Sequence, residues 1–101
     1  MCGICGIYNY KNRQPVAGQQ LQRMNATLAH RGPDDHGTLV DEEFGAAMRR
    51  LAIIDLERGH QPLCNEDRTV WAVCNGEIYN FRRLRKTLEA SGHRFSTHTD
   101  V

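Results

Sequence analysis

The chain has 101 residues, enough for one small domain that buries somewhat more than about 60% of the surface its unfolded form would expose. Its 13 lysines and arginines against 12 aspartates and glutamates leave a net charge of +1, which gives no reason to expect nucleic acid or an anionic membrane as a partner. The longest apolar runs, at 51–54 and 70–74, are far shorter than the roughly 20 residues of a membrane helix. No signal peptide precedes them, so we expect a cytoplasmic protein without a membrane anchor.

Hydrophobic periodicity predicts alternating strands and helices. Leu21, Met24 and Leu28 recur at helical spacing, whereas residues 70–74 are apolar on both alternating faces and predict a strand covered on both sides. The first predicted elements in chain order are strand 3–10, helix 16–30, strands 37–40 and 44–48 joined by the acidic turn 41–43, strand 51–54 and strand 70–74. A second helix follows, with Phe81, Leu84 and Leu88 on its apolar side, Asn80 as its N-terminal cap and Gly92 as its terminator. A last strand is predicted to start at 93–97. Strands followed by covering helices indicate a layered α+β domain.

The four cysteines occupy positions 2, 5, 64 and 74. In a protein without a signal peptide we interpret them as reduced thiols, and the apolar surroundings of Cys5, Cys64 and Cys74 predict that these three pack in the core. An alternative joins Cys2 and Cys5 as a C-x-x-C redox motif or half of a zinc site. The nine residues between Cys64 and Cys74 are too many for the second half of a zinc knuckle, and the C-x-x-C precedes a strand instead of opening a helix.

Cys2 becomes the N-terminal residue if Met1 is removed. It would then carry a thiol, with an ordinary pKa of about 8.5, and a free α-amine, with one of about 7.7 to 8.0, on the same Cα. The amine can accept the proton of the thiol near neutral pH, as in nucleophiles that use their own amino terminus as the base. Cys2 is therefore the candidate nucleophile.

Five short motifs follow one another along the whole chain. Together they resemble the N-terminal glutaminase domain of class II glutamine amidotransferases, and within that family most closely the glutamine-hydrolysing asparagine synthetases. The resemblance implies the αββα four-layer sandwich of N-terminal nucleophile hydrolases, with only its front part in residues 1–101 and the ATP-dependent synthetase domain absent from them. The motifs are Met-Cys-Gly-Ile-Cys-Gly-Ile-Tyr at 1–8, Arg-Gly-Pro-Asp at 31–34, Arg-Leu-Ala-Ile-Ile-Asp at 50–55, Gln-Pro-Leu at 61–63 and Asn-Gly-Glu-Ile-Tyr-Asn at 75–80.

The resemblance also implies roles for particular residues. Acyl transfer needs donors for an oxyanion, which the family match assigns to the Asn75 side chain and the Gly76 backbone N–H. Arg50 would bind the carboxylate of free glutamine, since a planar guanidinium suits that task. The same match places Glu77 and Asp100 at the glutamine ammonium. It also counts Leu51, Ile53 and Asn75 among the substrate-binding residues.

Each of these residues also has an ordinary structural explanation. An isolated Asn-Gly pair is usually a hairpin turn, and both Arg50 and Asp100 could be solvated surface residues. The basic residues Arg82, Arg83, Arg85 and Lys86 predict a solvated helix face, on which Arg85 pairs with Glu89. The five histidines lack metal-ligand spacing, so no metal site is predicted.

The resulting function prediction is hydrolysis of glutamine to glutamate and ammonia through a thioester on Cys2, in support of asparagine synthesis. We expect no cofactor in this segment, ATP and Mg²⁺ in the synthetase domain, and glutamine, that domain and a second copy of the chain as partners. Two alternatives stay open at this point, a catalytically inactive remnant of such an enzyme and a small metal or redox module.

Overall fold

The computed structural model describes residues 1–52, 57 and 59–101. Both helices and strands are present, which confirms the α+β class. No described helix is long and apolar enough to cross a membrane. The elements are β1 (Gly3–Tyr8), α1 (Gly18–Ala26), β2 (Asp35–Asp41), β3 (Phe44–Arg50), β4 (Leu63–Cys64), β5 (Trp71–Ala72) and α2 (Phe81–Ala90).

The strands β1, β3 and β2 form an antiparallel sheet in that order. The acidic turn predicted between β2 and β3 is confirmed, and Glu42 within it has a φ of 52°. The register pairs Gly3 of β1 with Arg49 of β3. The N-terminus of the chain therefore lies beside the end of β3.

Helix α1 packs on one face of this sheet because small residues in β3 let it approach closely. A Cβ on Gly45 would lie 3.0 Å from Val16 and 3.2 Å from Leu21, both of which are buried. Ala47 is completely buried on the same face. The helix is shorter than the predicted 16–30. After Ala26 the backbone tightens into turns in which the N–H groups of Thr27, Leu28 and Ala29 bond the carbonyls three residues back.

The opposite face of the sheet is partly exposed. Tyr8 is 56% exposed, and its ring contacts those of Tyr10 and Phe44 at centroid distances of 6.1 and 6.3 Å. Ile4 is exposed on the same face. This part of the sheet presents an apolar surface to solvent.

The second half of the chain departs most from its predicted structure. The predicted strand 70–74 is reduced to β5, which pairs with the unpredicted strand β4, and Trp71 is 40% exposed. The prediction that both faces are covered is therefore wrong. The predicted strand 51–54 is also wrong at Leu51 and Ala52, which lie outside any strand, while residues 53–54 lie outside the described part of the chain.

Helix α2 has the predicted ends but an exposed apolar side. The predicted cap at Asn80 is wrong, because the Asn80 side chain makes no capping hydrogen bond. The predicted terminator is confirmed, since the helix ends at Ala90 and Gly92 follows it with a φ of 98°. The N–H groups of Gly92 and His93 bond the carbonyls of Glu89 and Leu88, which is a Schellman cap. Leu84 and Leu88 on this apolar side are 42% and 41% exposed.

Residues 93–97 form no strand, contrary to prediction, because side chains attach this segment to α2 instead. The Arg85 guanidinium lies 4.7 Å from the ring centroid of Phe95 and donates a hydrogen bond to the carbonyl of Thr97. Its predicted pairing with Glu89 is confirmed at 3.2 Å. Arg85 is thus a half-buried link and not part of a solvated face.

Glu66 connects the loop between β4 and β5 to the residues after α2. Its carboxylate accepts hydrogen bonds from the Arg94 N–H at 3.0 Å and from His93 at 3.1 Å. Hydrogen bonds from its own backbone N–H, from that of Arg94 and from His93 lower the pKa of Glu66 to about 2, from an ordinary 4.5.

We predict that this contact makes stability depend on acid pH. Since the pKa of Glu66 is lower in the folded than in the unfolded state, the contact stabilises the fold above about pH 4.5 and is progressively lost as the pH falls toward 2. Urea unfolding of the wild type and of Glu66→Gln between pH 2 and 6 measures the effect. The difference in stability should shrink on acidification, and a difference independent of pH would contradict the prediction.

Candidate functional site

A cavity of about 330 Å³ opens where the N-terminus, the end of β3 and the segment between β5 and α2 meet. Every predicted site residue that the structure describes lines it, although these residues come from four separate stretches of sequence. Ile53, the remaining predicted site residue, lies outside the described residues. The lining consists of Met1, Cys2, Arg50, Leu51, Gln61, Cys74, Asn75, Gly76, Glu77, Tyr79, Thr99, Asp100 and Val101.

Cys2 is held at the start of β1 by contacts with the residue that follows β3. The backbone N–H of Leu51 donates a hydrogen bond to the Cys2 Sγ at 3.3 Å. The Cys2 thiol in turn donates a hydrogen bond to the Leu51 carbonyl oxygen, with the Sγ 3.7 Å from that oxygen. If Cys2 were deprotonated, its thiolate sulfur could also accept the hydrogen bond from the Leu51 N–H. Met1 lines the cavity too, and while it is attached the α-amine of Cys2 is part of a peptide bond.

Arg50 is the last residue of β3 and is only 5% exposed. The alternative of a solvated surface arginine is therefore wrong. Because Gly3 pairs with Arg49, the antiparallel register brings Arg50 level with Cys2 at the cavity. A buried guanidinium facing a cavity of this size is suited to an anionic group on a small molecule.

The Arg-Gly-Pro-Asp motif supports the backbone around Arg50. The Asp34 N–H donates to the Arg50 carbonyl at 3.1 Å, and the Asp34 carboxylate accepts the N–H of Ala52 at 2.9 Å. Gly32 lies so close that a Cβ on it would be 2.3 Å from the Arg49 carbonyl carbon. This motif therefore holds both neighbours of Leu51, the residue that contacts the Cys2 sulfur.

We predict that Gly32→Ala destabilises the protein by about 1 to 3 kcal/mol, because its methyl group overlaps the backbone leading into Arg50. Gly18→Ala is the matched control, since a Cβ there meets nothing within 4 Å, and it should be neutral or stabilising by up to about 1 kcal/mol. Urea unfolding of both variants tests the pair, and equal stabilities would contradict the close approach.

Three residues of the segment that connects β5 to α2 line the cavity, namely Asn75, Gly76 and Glu77. They join a strand to a helix, so the alternative of a two-residue hairpin turn is wrong. The N–H of Cys74, just before them, donates to the Oε1 of Gln61 at 2.8 Å. The N–H of Ile78, just after them, donates to the Asp100 carboxylate at 2.7 Å.

Asp100 therefore has a structural contact as well as a place at the cavity. Its Oδ2 accepts the Ile78 N–H, and the hydroxyl of Thr99 donates to its Oδ1 at 3.3 Å. The alternative of an idle surface aspartate is wrong. Sequence reasoning missed Gln61, Tyr79 and Thr99 as cavity residues. Gln61 and Tyr79 had a signal, their positions in the Gln-Pro-Leu and Asn-Gly-Glu-Ile-Tyr-Asn motifs, whereas Thr99 had none.

The other cysteines differ from their predicted burial. Cys5 and Cys74 are half-buried and Cys64 is exposed, so none of them belongs to the core, and all four are free thiols. Desolvation raises the pKa of the Cys5 thiol, whereas redox C-x-x-C motifs work through a lowered pKa. Within residues 1–52, 57 and 59–101, no three His, Cys, Asp or Glu side chains are grouped as a metal site would need.

The family model described as glutamine amidotransferase domain matches residues 1–101. The chain belongs to this glutamine amidotransferase family.

Several relatives of the domain are asparagine synthetases by name. Asparagine synthetase [glutamine-hydrolyzing] 1 of Bacillus subtilis is 47% identical over 103 residues, covering 100% of this chain and 16% of that protein. A probable asparagine synthetase [glutamine-hydrolyzing] of Dictyostelium discoideum is 43% identical, covering 99% and 18%. A second Bacillus subtilis synthetase is 40% identical, covering 99% and 13%. The chain thus matches the N-terminal glutamine amidotransferase part of these proteins and spans less than a fifth of their length.

Proposed function

We propose that this domain hydrolyses glutamine with Cys2 as the nucleophile. The observation that carries the proposal is the single cavity at which Cys2, Arg50, Asn75, Gly76 and Asp100 meet. It combines a thiol, a buried cation and amide donors, which are the groups needed to bind an amino acid and break its side-chain amide.

The reaction proceeds in two steps after removal of Met1. The α-amine of Cys2 takes the thiol proton, and Sγ attacks the side-chain amide carbon of glutamine. The oxyanion of this tetrahedral intermediate receives hydrogen bonds from the Asn75 side chain and the Gly76 N–H. The C–N bond then breaks, the amine returns its proton to the leaving nitrogen, and ammonia departs from the thioester. Water attacks the thioester carbon, which releases glutamate and restores the thiol.

The remaining cavity residues hold the substrate by its α-substituents. Arg50 pairs with the α-carboxylate, and the carboxylates of Glu77 and Asp100 face the α-ammonium. Leu51 and Ile53 complete the substrate-binding set. No metal or cofactor takes part in this half of the chemistry.

We further propose that the domain works within a longer enzyme. The lengths and names of the relatives support a following synthetase domain that uses ATP and Mg²⁺ and captures the ammonia on aspartate to make asparagine. On this proposal residues 1–101 are the front part of the amidotransferase domain, the enzyme is cytoplasmic, and two copies form a homodimer.

The proposed fold of the complete domain is the αββα sandwich. The exposed apolar sheet face around Ile4, Tyr8 and Phe44 supports it, because a second sheet packed there would remove this surface from water. Hydrogen exchange of residues 4–8 in the isolated chain and in the complete natural polypeptide compares the two states. Equal protection would contradict this placement of the second sheet.

A direct assay tests the function. The complete natural polypeptide that contains residues 1–101 should release glutamate and ammonia from glutamine, and its intact mass should lack Met1. Acid quenching during turnover should trap a glutamyl adduct on the peptide that begins with Cys2. Folded protein that has lost Met1 but does not turn over glutamine would favour the inactive-remnant alternative.

A further inference from the structure

Gln61 contacts the segment that carries Asn75 and Gly76. Gln61 is 6% exposed and lines the cavity, and its Oε1 accepts a hydrogen bond from the backbone N–H of Cys74 at 2.8 Å. Cys74 directly precedes Asn75. The function proposed above assigns no role to Gln61.

The segment 73–78 needs such a contact because it lies outside the strands and helices. Strand β5 ends at Ala72 and α2 begins at Phe81, so no sheet or helix hydrogen bonds fix the position of Gly76. Side-chain acceptors hold the segment near its two ends, Gln61 at Cys74 and Asp100 at Ile78. Gly76 lies between Cys74 and Ile78, so the position of its N–H depends on both of these hydrogen bonds.

Gln61 is in turn fixed to the main sheet. A Cβ on Gly37 of β2 would lie 1.8 Å from the Gln61 carbonyl oxygen, so the backbone at Gln61 lies directly against β2. The side chain of Gln61 then reaches Cys74 from this base. Gln61 therefore contacts β2 through its backbone and Cys74, the residue before Asn75, through its side chain.

We infer that Gln61 is a positioning residue that holds Asn75 and Gly76 where they can stabilise the oxyanion. This inference rests on the proposed glutaminase function. Donors of an oxyanion hole act only at the correct distance, and a displacement of about 1 Å can cost about 100-fold in rate. Loss of the Gln61 contact should therefore slow the chemical step more than it weakens substrate binding, because Arg50 and Asp100 hold the substrate as well as Glu77, and it should leave the nucleophile unchanged.

The test compares Gln61→Met with Gln61→Glu in the complete natural polypeptide. Methionine keeps the length and burial but removes the acceptor, whereas glutamate keeps a carboxyl oxygen at that position whether or not it is ionised. We expect Gln61→Met to lower kcat for glutamine about 10- to 100-fold, with KM within about threefold of wild type. Gln61→Glu should retain kcat within about fivefold of wild type.

A second readout separates positioning from general damage to the fold. The rate at which iodoacetamide alkylates Cys2 should stay within about twofold of wild type in Gln61→Met, because the Leu51 contacts of Cys2 do not involve Gln61. If Gln61→Met does not fold, amide exchange of Cys74 in the wild type decides instead. Protection of this N–H supports the contact, and exchange at the random-coil rate overturns it.

The outcomes distinguish the inference from the function on which it rests. Unchanged kcat in Gln61→Met, or equal losses in the Met and Glu variants, overturns the role of Gln61 while the wild type still hydrolyses glutamine. A parallel fall in kcat and in the alkylation rate also overturns it in favour of a general structural role. A wild type without glutaminase activity overturns the proposed function and this inference together.

Discussion

Replacing Cys2 by alanine should abolish glutamine hydrolysis, with a fall in kcat of at least about 10³-fold. The variant has neither an attacking sulfur nor an atom that can form the thioester. This loss of activity should come without a comparable loss of stability, because Cys2 is only half-buried and its hydrogen bonds are to the backbone of a single residue, Leu51. Steady-state glutaminase kinetics and thermal unfolding of the complete natural polypeptide measure both effects.

Cys64→Ala is the matched control for Cys2→Ala. Cys64 is an exposed free thiol on the rim of a different cavity, so its removal should leave kcat within about twofold of wild type. A protein that retains Met1 should behave like Cys2→Ala, since its α-amine cannot act as the base. Full activity in Cys2→Ala, or in protein with Met1 attached, would refute the N-terminal nucleophile.

Truncating Arg50 to alanine should lower kcat/KM for glutamine by roughly 30-fold to several thousand-fold. If the guanidinium, which is only 5% exposed, pairs with the substrate α-carboxylate in a site that excludes water, truncating Arg50 leaves the carboxylate buried without a partner, at a cost of about 2 to 5 kcal/mol. Arg50→Lys should recover only part of the loss, because an ammonium cannot form the two parallel hydrogen bonds of a guanidinium.

Arg83→Ala serves as the control for Arg50→Ala. Arg83 is an exposed arginine on α2 outside the cavity lining, so its truncation should change kcat/KM by less than about twofold. Thermal unfolding of both variants shows whether the loss at Arg50 arises from misfolding. An Arg50→Ala enzyme that is folded and within threefold of wild type would remove Arg50 from the substrate site.

The N-terminal half of the fold could be predicted from the sequence because its signals are local. The pair β2 and β3, the turn between them and helix α1 follow from periodicity and turn residues within a few positions of each other. The end of α2 before Gly92 could be predicted for the same reason, since glycine readily adopts the positive φ that often ends a helix.

The errors lie where burial depends on distant parts of the chain. Residues 70–74 and 93–97 have apolar composition suited to strands, but few described residues pair with or cover them. The apolar neighbours of Cys64 predict a core position, but Cys64 is exposed. Composition indicates that a segment can be buried, whereas burial itself requires a partner surface.

By itself the sequence determined the chemical groups available and the order of the motifs that carry them, because these are properties of residue identity and local spacing. Only the tertiary structure decided that Cys2, Arg50, Asn75 and Asp100 line one cavity, since this follows from the antiparallel register of β1 with β3 and from contacts made far along the chain. The same holds for Gln61 and Asp34, whose side chains bond backbone groups of Cys74 and Ala52. No periodicity or spacing encodes such bonds, because their two partners come together only when the whole domain packs.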